Sequence, residues 1–132
     1  PGTGTTEELQ PPQYYSGWWT TWYRNGRKMS EGNLKQGIRD GKWTKWRDSG
    51  QVWFEDSWAD GCQVGISRCW HGNGVKAMEE HFDKGRVVGQ GLYWHSNGAL
   101  KKRNYCHNGF QYGKQEEWDE KGTLISTKWY VA

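Results

Sequence analysis

Aliphatic side chains are scarce in this 132-residue chain: Leu, Ile, Val and Phe together number 17 (17/132, about 13%). A share that low lies in the range of disordered chains. Disorder also requires high net charge and few aromatics, and both conditions fail. Lys and Arg number 18 against 15 Asp and Glu, a net charge of +3, and there are 11 Trp, 7 Tyr and 3 Phe. No stretch approaches the ~20 consecutive apolar residues of a membrane-spanning helix. The shortage of aliphatics, together with 19 glycines, also excludes a helical bundle, which needs long aliphatic faces and few helix breakers. Proline is confined to Pro1, Pro11 and Pro12. Cys62, Cys69 and Cys106 are an odd number, so at least one is unpaired or pairs between chains. The small excess of base does not call for nucleic acid.

What the chain has instead is a repeat of 24 residues. Gly17, Gly41, Gly65, Gly89 and Gly113 open five units, and Gly26, Gly50, Gly74, Gly98 and Gly122 follow nine residues later. Gly37, Gly61, Gly85 and Gly109 stand twenty residues into the four complete units. The sixth position is always tryptophan: Trp22, Trp46, Trp70, Trp94 and Trp118. The units are therefore 17–40, 41–64, 65–88, 89–112 and 113–132. Residues 1–16, rich in Pro, Thr and Gln, are expected to be a tail or linker.

Each unit reads as a hairpin. Asn25-Gly26, Asn73-Gly74 and Asn97-Gly98 carry the residues of a tight turn, with Ser49-Gly50 and Lys121-Gly122 as weaker versions. Gln36-Gly37, Asp60-Gly61, Lys84-Gly85 and Asn108-Gly109 mark the second turn. Between the turns lie short segments rich in Trp, Tyr, Thr and Val, as in strands. The expectation is an all-β, single-layer antiparallel meander of ten or so strands. Five hairpins at roughly 9.6 Å each would span roughly 48 Å.

Alternation sorts the first strand of each unit into two faces. One carries the tryptophan column, with Trp18, Ile66 and Leu92 in line, and its regularity makes it the expected packing side. The other varies from unit to unit, so binding is expected there, through Trp19, Tyr23, Trp43, Arg47, His71, Tyr93 and His95. The glycines opening and turning each unit and the five column tryptophans are assigned structural roles. Leu34, Trp58, Phe82, Cys106 and Tyr130 share one phase and form a further expected core row.

The segments Asn25-Gly26-Arg27-Lys28, Glu31-Gly32-Asn33-Leu34-Lys35-Gln36-Gly37 and Asp40-Gly41-Lys42-Trp43-Thr44-Lys45-Trp46 give the unit a recognisable pattern. It resembles the MORN repeat, specifically the bacterial variant of YwqK-like antitoxin proteins. The resemblance spans residues 17 to about 130. Gly32 is replaced by Asp56, Glu80, Asn104 and Lys128 in the later units. The resemblance implies a hairpin solenoid whose known members bind proteins and, in some cases, lipids, and it implies no catalytic residue.

Chemistry-bearing clusters are thin. No Cys or His pair has zinc-ligand spacing, and His71 and His95 would stand two strands apart, roughly 9.6 Å. No metal or cofactor is expected. Glu31, Glu55 and Glu79, with Arg103 at the fourth place, form a column best read as a solvated sheet edge rather than a carboxylate pair. No nucleophile motif or phosphate-cradling loop stands out. The chain is expected not to be an enzyme. It is read as a protein-interaction module of antitoxin or immunity type whose partner is another protein. The alternative is a glycan- or envelope-binding solenoid of an exported protein, with nucleic acid the least favoured partner. The start at Pro1 without methionine is expected of a processed or trimmed product. Any signal peptide would lie outside the chain, so the compartment, cytoplasmic or extracytoplasmic, stays open.

Overall fold

The protein is described here by a computed structural model covering residues 9–131. The first eight residues of the expected tail, and Ala132, lie outside the described residues. Twelve strands follow one another: β1 (Gly17–Trp22), β2 (Lys28–Lys35), β3 (Ile38–Trp46), β4 (Val52–Ala59), β5 (Cys62–Gln63) and β6 (Gly65–Trp70). They continue with β7 (Lys76–Asp83), β8 (Arg86–Trp94), β9 (Leu100–His107), β10 (Phe110–Gln111), β11 (Gly113–Trp118) and β12 (Leu124–Tyr130). Each long strand pairs with the next in sequence, giving the order β1-β2-β3-β4-β6-β7-β8-β9-β11-β12, with β5 on β4 and β10 on β9. All pairings are antiparallel, and β1 and β12 stand at the two ends of the order among the described residues, so the sheet is an open meander not closed into a barrel.

The two turns of a hairpin are built differently. At the first, Gly26 N–H donates to Tyr23 O and Tyr23 N–H to Arg27 O, closing a turn in which Gly26 alone has positive φ, 88°. Asn25 is not left-handed, as a two-residue Asn-Gly turn would require. Its side chain instead accepts from Arg27 N–H at 2.9 Å. This is the longer hairpin loop, with a bulging glycine after an ordinary turn. At the second turn both central residues are left-handed, as at Gln36 (φ 50°) and Gly37 (φ 81°). That geometry matches the twist of the flanking strands, but it asks a non-glycine residue to adopt positive φ.

A bulge recurs before every column tryptophan. Thr21 faces Ser30 while Trp22 faces Lys28, so Met29 is skipped. Trp53, Ala77, Lys101 and Ile125 are skipped at the equivalent places. A bulged residue need not alternate, and Trp53 comes to lie 5.2 Å from its own neighbour Phe54. The unit-opening glycines mark a second irregularity. Gly41, Gly65 and Gly89 have φ of 76°, 69° and 70°, and the ladder between β2 and β3 shifts just there.

Burial is divided between the faces differently from the expectation. The least exposed side chains lie opposite the tryptophan column: Trp43 at 6%, Leu34 at 4%, and Thr21, Ser30, Ser67 and Gln115. On the column side, Trp18 and Trp22 are 57% and 54% exposed, and the other four column tryptophans are half-buried. The reason is local. The column tryptophans alternate along the sheet with Lys28, Val52, Lys76, Leu100 and Leu124, and no second layer packs over them. On the second face, large rings fold down over small residues. The row Leu34, Trp58, Phe82, Cys106 and Tyr130 belongs to this second face and passes from 4% exposed at Leu34 to 37% at Tyr130.

The tail joins the sheet before residue 17. Tyr15 O accepts from Gly37 N–H at 2.7 Å, the bond that Gln63 O and Val87 O make to Gly85 and Gly109 two and three units later. Ser16 Oγ accepts from Gln36 N–H at 2.8 Å. Tyr15 and Ser16, within the expected tail, are thus hydrogen-bonded to the second turn of the first unit.

Candidate functional site

The glutamates of the column face are all ion-paired. The central row of this face runs Thr20, Glu31, Thr44, Glu55, Arg68, Glu79, Leu92, Arg103, Glu116 and Thr127, each the cross-strand partner of the next. The glutamate column therefore crosses the middle of a face and does not form the solvated edge expected for it. Lys28 pairs with Glu31 at 2.9 Å, Lys42 with Glu55 at 2.8 Å, and Arg103 with Glu116 at 2.9 Å. Glu79 takes both Lys76 and Arg68. Hydrogen bonding to Lys76 holds the Glu79 carboxyl below its ordinary value, with Arg68 adding to the effect. Glu116 is lowered in the same way, mainly by Arg103. The cations also cover indoles, Lys76 over Trp94 at 5.5 Å and Arg103 over Trp118 at 5.4 Å.

The seven residues expected to bind lie on the second face or at its turns, and most of them are engaged internally. Tyr23 Oη donates to Trp46 O at 2.7 Å and Arg47 Nη2 to Trp70 O at 3.2 Å. His71 Nε2 meets Trp94 O at 2.8 Å and His95 Nε2 meets Trp118 O at 2.9 Å. A carbonyl only accepts, so both imidazoles carry their proton on Nε2. These are four rungs of one ladder, each joining a unit to the column tryptophan of the next. Asn25, Asn73 and Asn97 form a parallel ladder to Asp48 O, Ser96 O and Glu120 O. Both end at unit five, where Asp119 accepts from Lys121 and Thr123 N–H of its own turn.

Trp43 is also engaged internally, and it lies at 6% exposure. Its Nε1 donates to Asn33 O at 2.9 Å, and its ring covers Gly32. Tyr93 lies over Gly91 and donates to Glu80 Oε2. Burial first, then that bond, pushes the Tyr93 hydroxyl pKa well up. Trp19 stands edge-on to Tyr15 at 5.5 Å, with its Nε1 buried and unpaired.

The groups left available are Arg39, outside the first strand that alternation sorted, and Lys45, on the second face but not among the seven residues expected to bind. Arg39 lies on β3, opposite Leu34, with its guanidinium 4.8 Å from the Trp43 ring and 5.7 Å from that of Trp58. Lys45 stands 5.4 Å from the Trp53 ring, which Arg47 also covers at 4.5 Å. Neither Arg39 nor Lys45 has a carboxylate within ion-pair distance among the described residues. With Trp43, Phe54, Asp56 and Ser30 they line a cleft of about 270 Å³. The available signal was position in the chain: Arg39 precedes a unit-opening glycine, beyond the first strand as the repeat delimits it.

The three thiols are free, with Cys62 exposed and Cys69 and Cys106 pushed up by burial. Among the described residues no group of three or more His, Cys, Asp or Glu is placed to hold a metal ion. No described helix is long and apolar enough to cross a membrane. No protein-family model matches this chain, and no curated protein matches it.

Proposed function

We propose that this chain is a non-enzymatic protein-interaction module of the MORN type, of the antitoxin or immunity kind that its resemblance to YwqK-like proteins implies. The observation that carries the reading is the contrast between the two faces. The glutamates of the column face are paired with cations in a repeating row, whereas the second face differs from hairpin to hairpin and leaves Arg39 and Lys45 without counter-ions among the described residues. Uniform rungs hold the frame, so side chains between them are free to suit one partner. A glycan-binding reading draws on the exposed indoles of Trp18 and Trp22 on β1. It loses the platforms of the second face, because Trp43, Trp53 and Trp58 are already covered by cations.

The test is photo-crosslinking in the cells that make the protein, with a benzophenone residue at position 39 or, separately, at Lys42 on the column face. The reading stands if one protein is captured from position 39 and its purified form binds the unmodified chain. It falls if no purified protein binds and a glycan array retains the chain.

A further inference from the structure

The cleft beside Arg39 has the chemistry of a carboxylate receptor, and we infer that it takes an extended acidic peptide segment of the partner. This rests on the protein-interaction reading and adds the ligand class. The Arg39 guanidinium carbon lies over the rings of Trp43 and Trp58, and among the described residues its N–H fork has no acceptor. A fork held by two rings is oriented before a ligand arrives, and a carboxylate accepts it bidentately. Lys45 supplies a second cation on the same cleft, held over Trp53.

Three further observations select the ligand. Asp56 also lines the cleft, and its Oδ1 is filled by Ser67 Oγ at 2.6 Å and Gln63 Nε2 at 3.1 Å. That carboxylate disfavours a dense polyanion such as a nucleic-acid backbone, but tolerates singly charged carboxylates accompanied by N–H donors. The walls, Trp43 and Phe54, suit the methylenes of a glutamate. A stretch of this same chain, Leu9 to Pro11, lines an adjoining pocket of the face together with Trp19, Leu34, Arg39 and Trp43. Lys102 and Lys128 have no ion-pair partner among the described residues on the same face, but they share their cleft with Glu117, which stands directly opposite Lys102.

The experiment titrates the whole chain with a blocked hexaglutamate peptide, followed by tryptophan fluorescence. Hexaglutamine and hexathymidylate serve as comparators. Hexaglutamate is expected to bind and hexaglutamine not to. Arg39→Gln and Lys45→Gln should each weaken binding about tenfold or more, the scale of a charge-assisted hydrogen bond. Arg39→Lys should fall between wild type and Arg39→Gln, because it keeps the charge and loses the fork. Lys42→Gln, on the column face, should change nothing. Equal binding by the Arg39 and Lys45 variants overturns the inference, as does tighter binding of hexathymidylate or no hexaglutamate binding. If a protein partner is crosslinked from position 39 while hexaglutamate fails, the ligand class alone is wrong. If no protein binds there at all, the interaction reading falls with it.

Discussion

Trp43 lies over Gly32 on the neighbouring strand so closely that a β-carbon at position 32 would stand 2.3 Å from its Cδ2. The ring buries itself in the space a side chain would need, which is how a single sheet makes a patch of core without a second layer. Gly32→Ala is therefore expected to destabilise by about 1–3 kcal/mol through overpacking. Gly91 is the control. It occupies the equivalent row beneath Tyr93, where an added β-carbon would meet ring atoms at 3.5 Å, an ordinary contact. Gly91→Ala should leave the urea midpoint nearly unchanged. Equal losses at the two sites would remove the argument.

The rungs between hairpins should tolerate exchange among donors and nothing else. Unit two uses Arg47 where units three and four use His71 and His95, and all three reach the next column carbonyl. His71→Arg should keep the bond to Trp94 O, whereas His71→Leu should cost about 1–3 kcal/mol by leaving a carbonyl unpaired. Melting curves of the two variants decide it, with the arginine variant expected close to wild type.

Much of this frame was legible in the sequence, because glycine at fixed spacing reports on backbone geometry directly. The period, the two turns and the meander follow from Gly26, Gly37 and their equivalents, whose positive φ few other residues adopt. The choice of inner face was not legible. Regularity at Trp22 and its equivalents marks position in the repeat, and with no second layer that does not decide which side is covered. Nor does alternation show that a bulge brings Trp53 beside Phe54, or that a ring at Trp43 uses the vacancy at Gly32. The four expected contact residues at the rungs are donors spaced to reach the next hairpin, and one strand read alone does not reveal a partner 23 residues away.

Acid should weaken the column face. Glu79 titrates below its ordinary value of 4.5 in the fold because Lys76 and Arg68 favour the carboxylate. A group with a depressed native value contributes stability that is complete above its unfolded value and is lost as pH falls through the native one. The contribution from Glu79 is thus present above pH 4.5 and shrinks with further acid. Glu79→Gln should flatten the dependence of the urea midpoint on pH below that value, while at neutral pH the variant is the less stable. Salt should reduce the difference, since the pair is partly exposed. A variant as acid-sensitive as the parent would refute the assignment.

Removing residues 65–88, one whole unit in register, should leave a folded and shorter sheet, because each hairpin contacts only its neighbours. The junction is chemically matched. Arg47, which now donates to Trp70 O, would meet Trp94 O, the carbonyl that His71 reaches in the intact chain. Phe54, now opposite Cys69, would face Tyr93, which occupies the same place one unit on. Asp56 would lose Ser67 but gain Tyr93 Oη, which at present donates to Glu80, the residue equivalent to Asp56. The losses are the Glu79 ion pairs and one tryptophan of the column. Small-angle scattering should give a maximum dimension smaller by roughly 9.6 Å, two strand spacings, with the circular dichroism of the parent. A cooperative melt must survive, and an unfolded deletion product would show that the hairpins are not interchangeable units.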